Sequence, residues 1–147
     1  MIEFRIPEPI VREMIEHAQA EYPKECCGVL AGPLGAGGAP GEPRMRIPLT
    51  NVDPDPVMRY NADPRELKRV YDDIYDRDWE FVCIYHSHTH TPAFPSATDV
   101  ARASYPEAVY ALVSLQDRQN PVLRAFTIRE GEIEELSVVT EEVAREA

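Results

Sequence analysis

A chain of 147 residues with 44% hydrophobic and 28% charged residues fits one ordinary folded domain with a real core, and neither a disordered nor a fibrous composition. Fifteen Lys and Arg against 26 Asp and Glu give a formal charge of -11, which repels phosphate backbones and excludes nucleic acid as an expected partner. The longest apolar runs, such as 109–115, fall far short of the ~20 residues that span a bilayer, and three cysteines with no visible secretory signal make a poor disulfide framework, so a cytoplasmic protein with buried thiols is expected.

After Pro7, the residues Ile10, Val11, Met14, Ile15 and Ala18 recur at helical spacing and predict an amphipathic helix to about Glu21, ended before Pro23. The run CCGVLAG at 26–32 predicts a short buried strand, and the glycines and prolines of 33–43 predict a flexible loop. A strand is expected over 44–52, followed by irregular backbone at DPDP, 53–56. Asp63 as N-cap, Pro64 at the first helical position and Glu66 closing a capping box start a second helix, with Leu67, Val70, Tyr71 and Ile74 on its apolar face. Residues 79–88 read as a central strand, because their middle is almost continuously apolar. Strands at 108–115, 123–128 and 132–139, the last pair joined by a turn at 130–131, complete the pattern, and 140–147 is left as a tail. The expectation is an α/β (α+β) fold in a single domain over 1–147, a mixed sheet flanked by helices.

Three of the four histidines fall at 86, 88 and 90, at the end of the expected central strand. Alternation sends His86 and His88 to one face with Ser87 pointing away, so two imidazoles converge on one point. Zinc in a catalytic site takes three protein ligands and keeps one open position. The third ligand could be His90, if the chain stays extended, or Asp99, carried back by a loop broken at Pro92 and Pro95. Ser96 and Asp99 also have the S-x-x-D form of a helix N-terminus, so Asp99 reads equally as a cap residue. A hydrolytic centre further needs a group to carry a proton from water to the leaving group. Glu25, just before the buried-looking strand, is placed for that role, although in so acidic a chain it also reads as one of many solvated glutamates.

An upstream Glu, then H-x-H, seven residues, and S-x-x-D resembles the JAMM, or MPN+, motif of the Jab1/Mov34/Pad1 family of zinc isopeptidases. His86, His88, Ser96 and Asp99 match it position for position, and Glu25 in YPKECCGVLAG resembles the family's catalytic glutamate. The segments CGVLAGP, IPLTN, IYHSHT and PSATDV are similar to short stand-alone bacterial members, the Mec-type hydrolases. One departure is Thr89, followed by His90, where many members carry Pro after the second histidine; His90 is read as a rim residue. The resemblance implies a single MPN-type domain of cytidine-deaminase-like architecture, although the H-x-E and P-C-x-x-C of deaminase chemistry are missing from the sequence. It implies Zn2+ held by His86, His88 and Asp99, with Glu25 as proton carrier and Ser96 stabilising the oxyanion. The implied substrate is the C-terminal Gly-Gly tail of a ubiquitin-like sulfur-carrier protein, cleaved at an amide bond with release of cysteine. A non-catalytic MPN-like interaction module and the same chemistry on other isopeptides or small peptides remain alternatives. A homodimer stays open, dimers being the commonest homo-oligomers.

Overall fold

The computed structural model describes residues 1–142, arranged as β1 (Glu3–Pro7), α1 (Glu8–Glu21), β2 (Cys27–Gly32), β3 (Met45–Leu49), α2 (Pro64–Tyr75), β4 (Glu80–His88), α3 (Ala97–Arg102), β5 (Val109–Ser114), β6 (Val122–Arg129) and β7 (Glu132–Glu141). The strands form one sheet in the order β1-β7-β6-β5-β4-β2-β3. β1 runs parallel to β7 and β4 parallel to β5, while the remaining pairs are antiparallel. The sheet is therefore mixed and flanked by helices, as expected. β4 lies between β5 and β2, and its middle carries apolar residues on both faces because α1 packs on one and α2 on the other.

Three expectations need correction. No element is expected before Pro7, yet Phe4 and Ile6 alternate inward to make β1, a five-residue strand that closes one edge of the sheet. The tail expected from 140 begins too early, because Thr140 and Glu141 still pair with Ile6 and Pro7; residues 143–147 lie outside the described chain. Glu66 does not close a capping box. Asp63 accepts from the Arg65 amide, whereas the Glu66 carboxylate turns to Thr50, accepting from its amide at 2.6 Å and its hydroxyl at 2.9 Å. The segment 33–43 is tied at both ends, by Glu42 N to Pro33 O and Arg44 N to Ala31 O, with Gly41 and Pro43 buried.

Helices cover both faces of the sheet. α1 buries Ile10, Met14 and Ala18 against Phe4, Tyr85 and Val113. α2 packs Ile74, Leu67 and Val70 against Cys27, Val29, Ile84 and Tyr110. In β4 the register slips, with Leu30 opposite Cys83 but Ala31 opposite Phe81, so Val82 is an extra residue in the ladder. Beyond it the alternation is regular: Cys83 and Tyr85 join the α1 face, Ile84 joins the α2 face, and His86 and His88 follow Ile84.

Gly28 makes this packing possible, because a Cβ there would stand 2.5 Å from the Tyr85 ring. Tyr85 is fully buried and bonded through its hydroxyl to His17 and Arg46, so it has no room to yield. Gly28→Ala should destabilise the fold by about 1–3 kcal/mol, read from chemical denaturation midpoints. An unchanged midpoint would show that Tyr85 can move aside.

Candidate metal centre

β4 ends on His86 and His88, both buried, and the chain returns through Pro92 and Pro95 to α3. Ser96 caps that helix: its Oγ accepts from Asp99 N at 3.1 Å, and Asp99 Oδ2 accepts from Ser96 N at 2.9 Å. The same carboxylate reaches the imidazoles, with His88 Nε2 3.0 Å from Oδ2 and His86 Nε2 3.2 Å from Oδ1. The two readings of Asp99 are therefore compatible. The capping box orients the side chain, and its oxygens still face the histidines. Among the described residues, His86, His88 and Asp99 bring one ligand atom each within 4.8 Å of one another, while His90 is exposed and turned to the Thr89 hydroxyl.

The donor set fits a bound cation. The carbonyl of Pro92 only accepts, so the 2.9 Å contact to His88 Nδ1 places the proton on Nδ1 and leaves Nε2 as a lone pair in the neutral ring. That lone pair faces a carboxylate oxygen and lies 3.2 Å from His86 Nε2. Such a cluster of acceptors needs a proton or a metal at its centre. Two imidazole nitrogens and one carboxylate oxygen are a zinc-type set with a position to spare. Without a cation the three groups share a proton among themselves, and their titration shifts differ in direction. Burial lowers His86 despite Asp99 beside it; at His88 burial also acts downward, but the hydrogen bonds to Asp99 and Pro92 and the charges of Asp99 and Glu25 together outweigh it and raise it. Burial acts upward on Asp99, yet hydrogen bonds from both histidines hold it well below the usual carboxylate range.

Glu25 reaches the site from the start of β2. Its neighbour Cys26 donates its amide to Ser87 Oγ at 2.7 Å, and Ser87 N donates back to Cys26 O at 3.1 Å. This reciprocal pair, made on the face away from His86 and His88, fixes the entry of β2 against the end of β4. Glu25 is only 6% exposed, and its carboxyl is pushed up to about 8, chiefly by burial, with His88 opposing and Asp99 reinforcing the shift. A half-solvated surface glutamate would show neither property.

The wall of this site was not anticipated from the sequence. Residues 53–60 run past Glu25, where Pro56 O accepts from Glu25 N at 2.7 Å, then past Thr89, whose hydroxyl meets Val57 O at 3.4 Å. The segment ends with Tyr60 stacked on His86. Asn51 organises it: its amide nitrogen donates to Glu25 O at 2.9 Å, and its Oδ1 accepts from Asp53 N and Asn61 N at 3.0 Å each. The one signal in the chain is an asparagine shortly before a D-P-D-P loop, a common means of closing backbone turns.

A family profile described as prokaryotic homologs of the JAB domain matches residues 7–129. The CysO-cysteine peptidase of Mycobacterium tuberculosis (strain ATCC 25618 / H37Rv) is 42% identical over 126 residues, covering 86% of this chain and 83% of that protein. A desampylase of Haloferax volcanii is 34% identical over 134 residues, covering 91% of each chain. The solution structure of protein DSY2949 from Desulfitobacterium hafniense superposes with a TM-score of 0.83 at 31% identity, covering 97% of this chain and 94% of that one. With a family match over residues 7–129 and relatives this similar over most of their length, the chain belongs to the JAB/MPN family as one of its prokaryotic members.

Proposed function

We propose that this protein is a zinc-dependent hydrolase that cleaves the amide bond at the C-terminal glycine of a ubiquitin-like sulfur-carrier protein and releases cysteine. The observation that carries the reading is the convergence of His86, His88 and Asp99 on one point, with a buried carboxyl, Glu25, electrostatically coupled to His88 and Asp99. The substrate class is supported by the 42% identity to a CysO-cysteine peptidase. Bound zinc supplies Lewis acidity and lowers the pKa of water toward neutrality. His86, His88 and Asp99 would hold it.

Glu25 takes the proton of the attacking water and later delivers it to the leaving amine. Its burial suits both tasks, since a carboxyl with a raised pKa binds the proton strongly enough to carry it, and positive charge nearby restores the carboxylate that accepts it. Ser96 uses its oxygen lone pair in the helix cap and keeps its hydroxyl hydrogen free to donate to the developing oxyanion, a contribution of ~3 kcal/mol for such donors. The serine is not the nucleophile. Both nearby imidazoles are turned to Asp99, so neither is oriented to take the proton of its hydroxyl. An extended Gly-Gly tail suits the site, since main-chain hydrogen bonding along a strand requires no side chains.

Purified protein incubated with a carrier-cysteine adduct should release free cysteine, and metal analysis should find about one zinc per chain. Zinc-loaded protein that leaves the adduct intact would refute the substrate. Absence of zinc after careful purification would favour a binding module. The 34% identity to a desampylase favours a second reading, the same chemistry on isopeptide conjugates, which a parallel assay with lysine-linked conjugates separates.

A further inference from the structure

The two histidines of the centre are supported differently. His88 is fixed by its Nδ1 contact to the Pro92 carbonyl at 2.9 Å. His86 Nδ1 is buried and finds no hydrogen-bond partner among the described residues. Imidazoles that bind metals are ordinarily oriented by a hydrogen bond from the second ring nitrogen, and without one the ring plane is loosely set, because the torsion that turns it has broad wells. Against His86 lies the Tyr60 ring instead, with centroids 4.2 Å apart and planes 25° from parallel.

Tyr60 is held in place on three sides. Asn51 grips the residues on either side of it, donating to Arg59 O at 3.0 Å and accepting from Asn61 N at 3.0 Å. Arg102 of α3, the helix that carries Asp99, donates to Tyr60 O at 3.0 Å. Tyr60 also borders a cavity of about 90 Å³ lined by Cys27, Leu67, Phe81 and Tyr110. There is spare room in this neighbourhood, and the backbone clamp keeps the ring pressed on the imidazole.

We propose that Tyr60 is a positioning residue for the metal site, setting the plane of His86 by stacking where the usual hydrogen bond is missing. The inference rests on the reading of His86 as a zinc ligand. The geometry that supports it is specific to an aromatic ring: a face-to-face stack restrains rotation of the imidazole, and an aliphatic side chain of similar volume does not.

The test compares zinc affinity, by chelator competition at fixed pH, in the native protein, Tyr60→Phe and Tyr60→Leu. Phe keeps the stacked face and should bind zinc within about twofold of native. Leu should bind about 10–100-fold more weakly, the loss typical of removing an orienting partner of a ligand, and should shift the visible spectrum of the cobalt-substituted protein. Equal affinity for native and Leu proteins would overturn the inference while leaving the zinc reading intact. A native protein that binds no zinc would remove both. Should Tyr60→Leu lose its thermal unfolding transition, Asn51→Ser carries the test, because it loosens the Tyr60 backbone and spares the ring. Weaker zinc binding there supports the inference, and unchanged binding defeats it.

Discussion

Glu25→Gln should leave about one zinc per chain and reduce turnover by about 10²–10⁴-fold, the usual worth of a positioned proton carrier. Glutamine preserves the shape and the backbone contacts of Glu25 to Pro56 and Asn51, and it lies outside the group His86, His88 and Asp99. Only the proton acceptor is removed. Near-native turnover would require another base, and loss of zinc would place Glu25 among the ligands.

The same substitution has an opposite effect on stability. In metal-free protein the folded carboxyl titrates at about 8, against an ordinary value of 4.5. Between those values the folded state keeps a proton that the unfolded state has released, so stability falls as pH rises through the window. Every tenfold difference in proton affinity between the two states is worth about 1.4 kcal/mol, and the full effect amounts to a few kcal/mol. Glutamine does not titrate. Metal-free Glu25→Gln should therefore gain stability over native protein as pH rises from about 5 to about 8. Parallel denaturation curves with a constant gap would show that Glu25 is not desolvated in the folded state.

His88→Ala should lose zinc and activity together. In the proposed zinc site His88 would supply one of three ligand atoms, and it also makes the contact to Pro92 O that holds the loop leading to Ser96 and Asp99. Its removal leaves Asp99 with a single imidazole, His86, in a buried site where an uncompensated carboxylate is costly. Metal content well below one zinc per chain, with hydrolysis at background, is the expected result. Stoichiometric zinc in this variant would remove His88 from the ligand set.

The fold is largely legible in the sequence because its signals are local. Helical spacing in α1, the Asp63-Pro64 start of α2, and the apolar run of β4 each depend on residues a few positions apart, and the motif gives the candidate ligands His86, His88 and Asp99 in order. What is not legible depends on tertiary contact. β1 is too short to announce itself and becomes a strand only because β7 lies beside it. Glu66 has the position of a cap and is drawn away by Thr50. Tyr60 and Asn51 act across loops whose path no periodicity records. Asp99 is the ambiguous case, because cap and ligand need the same residue type.

The link between Cys26 and Ser87 joins positions 61 residues apart. A growing polypeptide thus carries Glu25 long before His86 and His88, and both imidazoles before Asp99. The full group forms only once β2 pairs with β4 and brings Glu25 beside residues 86–99, so no single segment of the chain presents it.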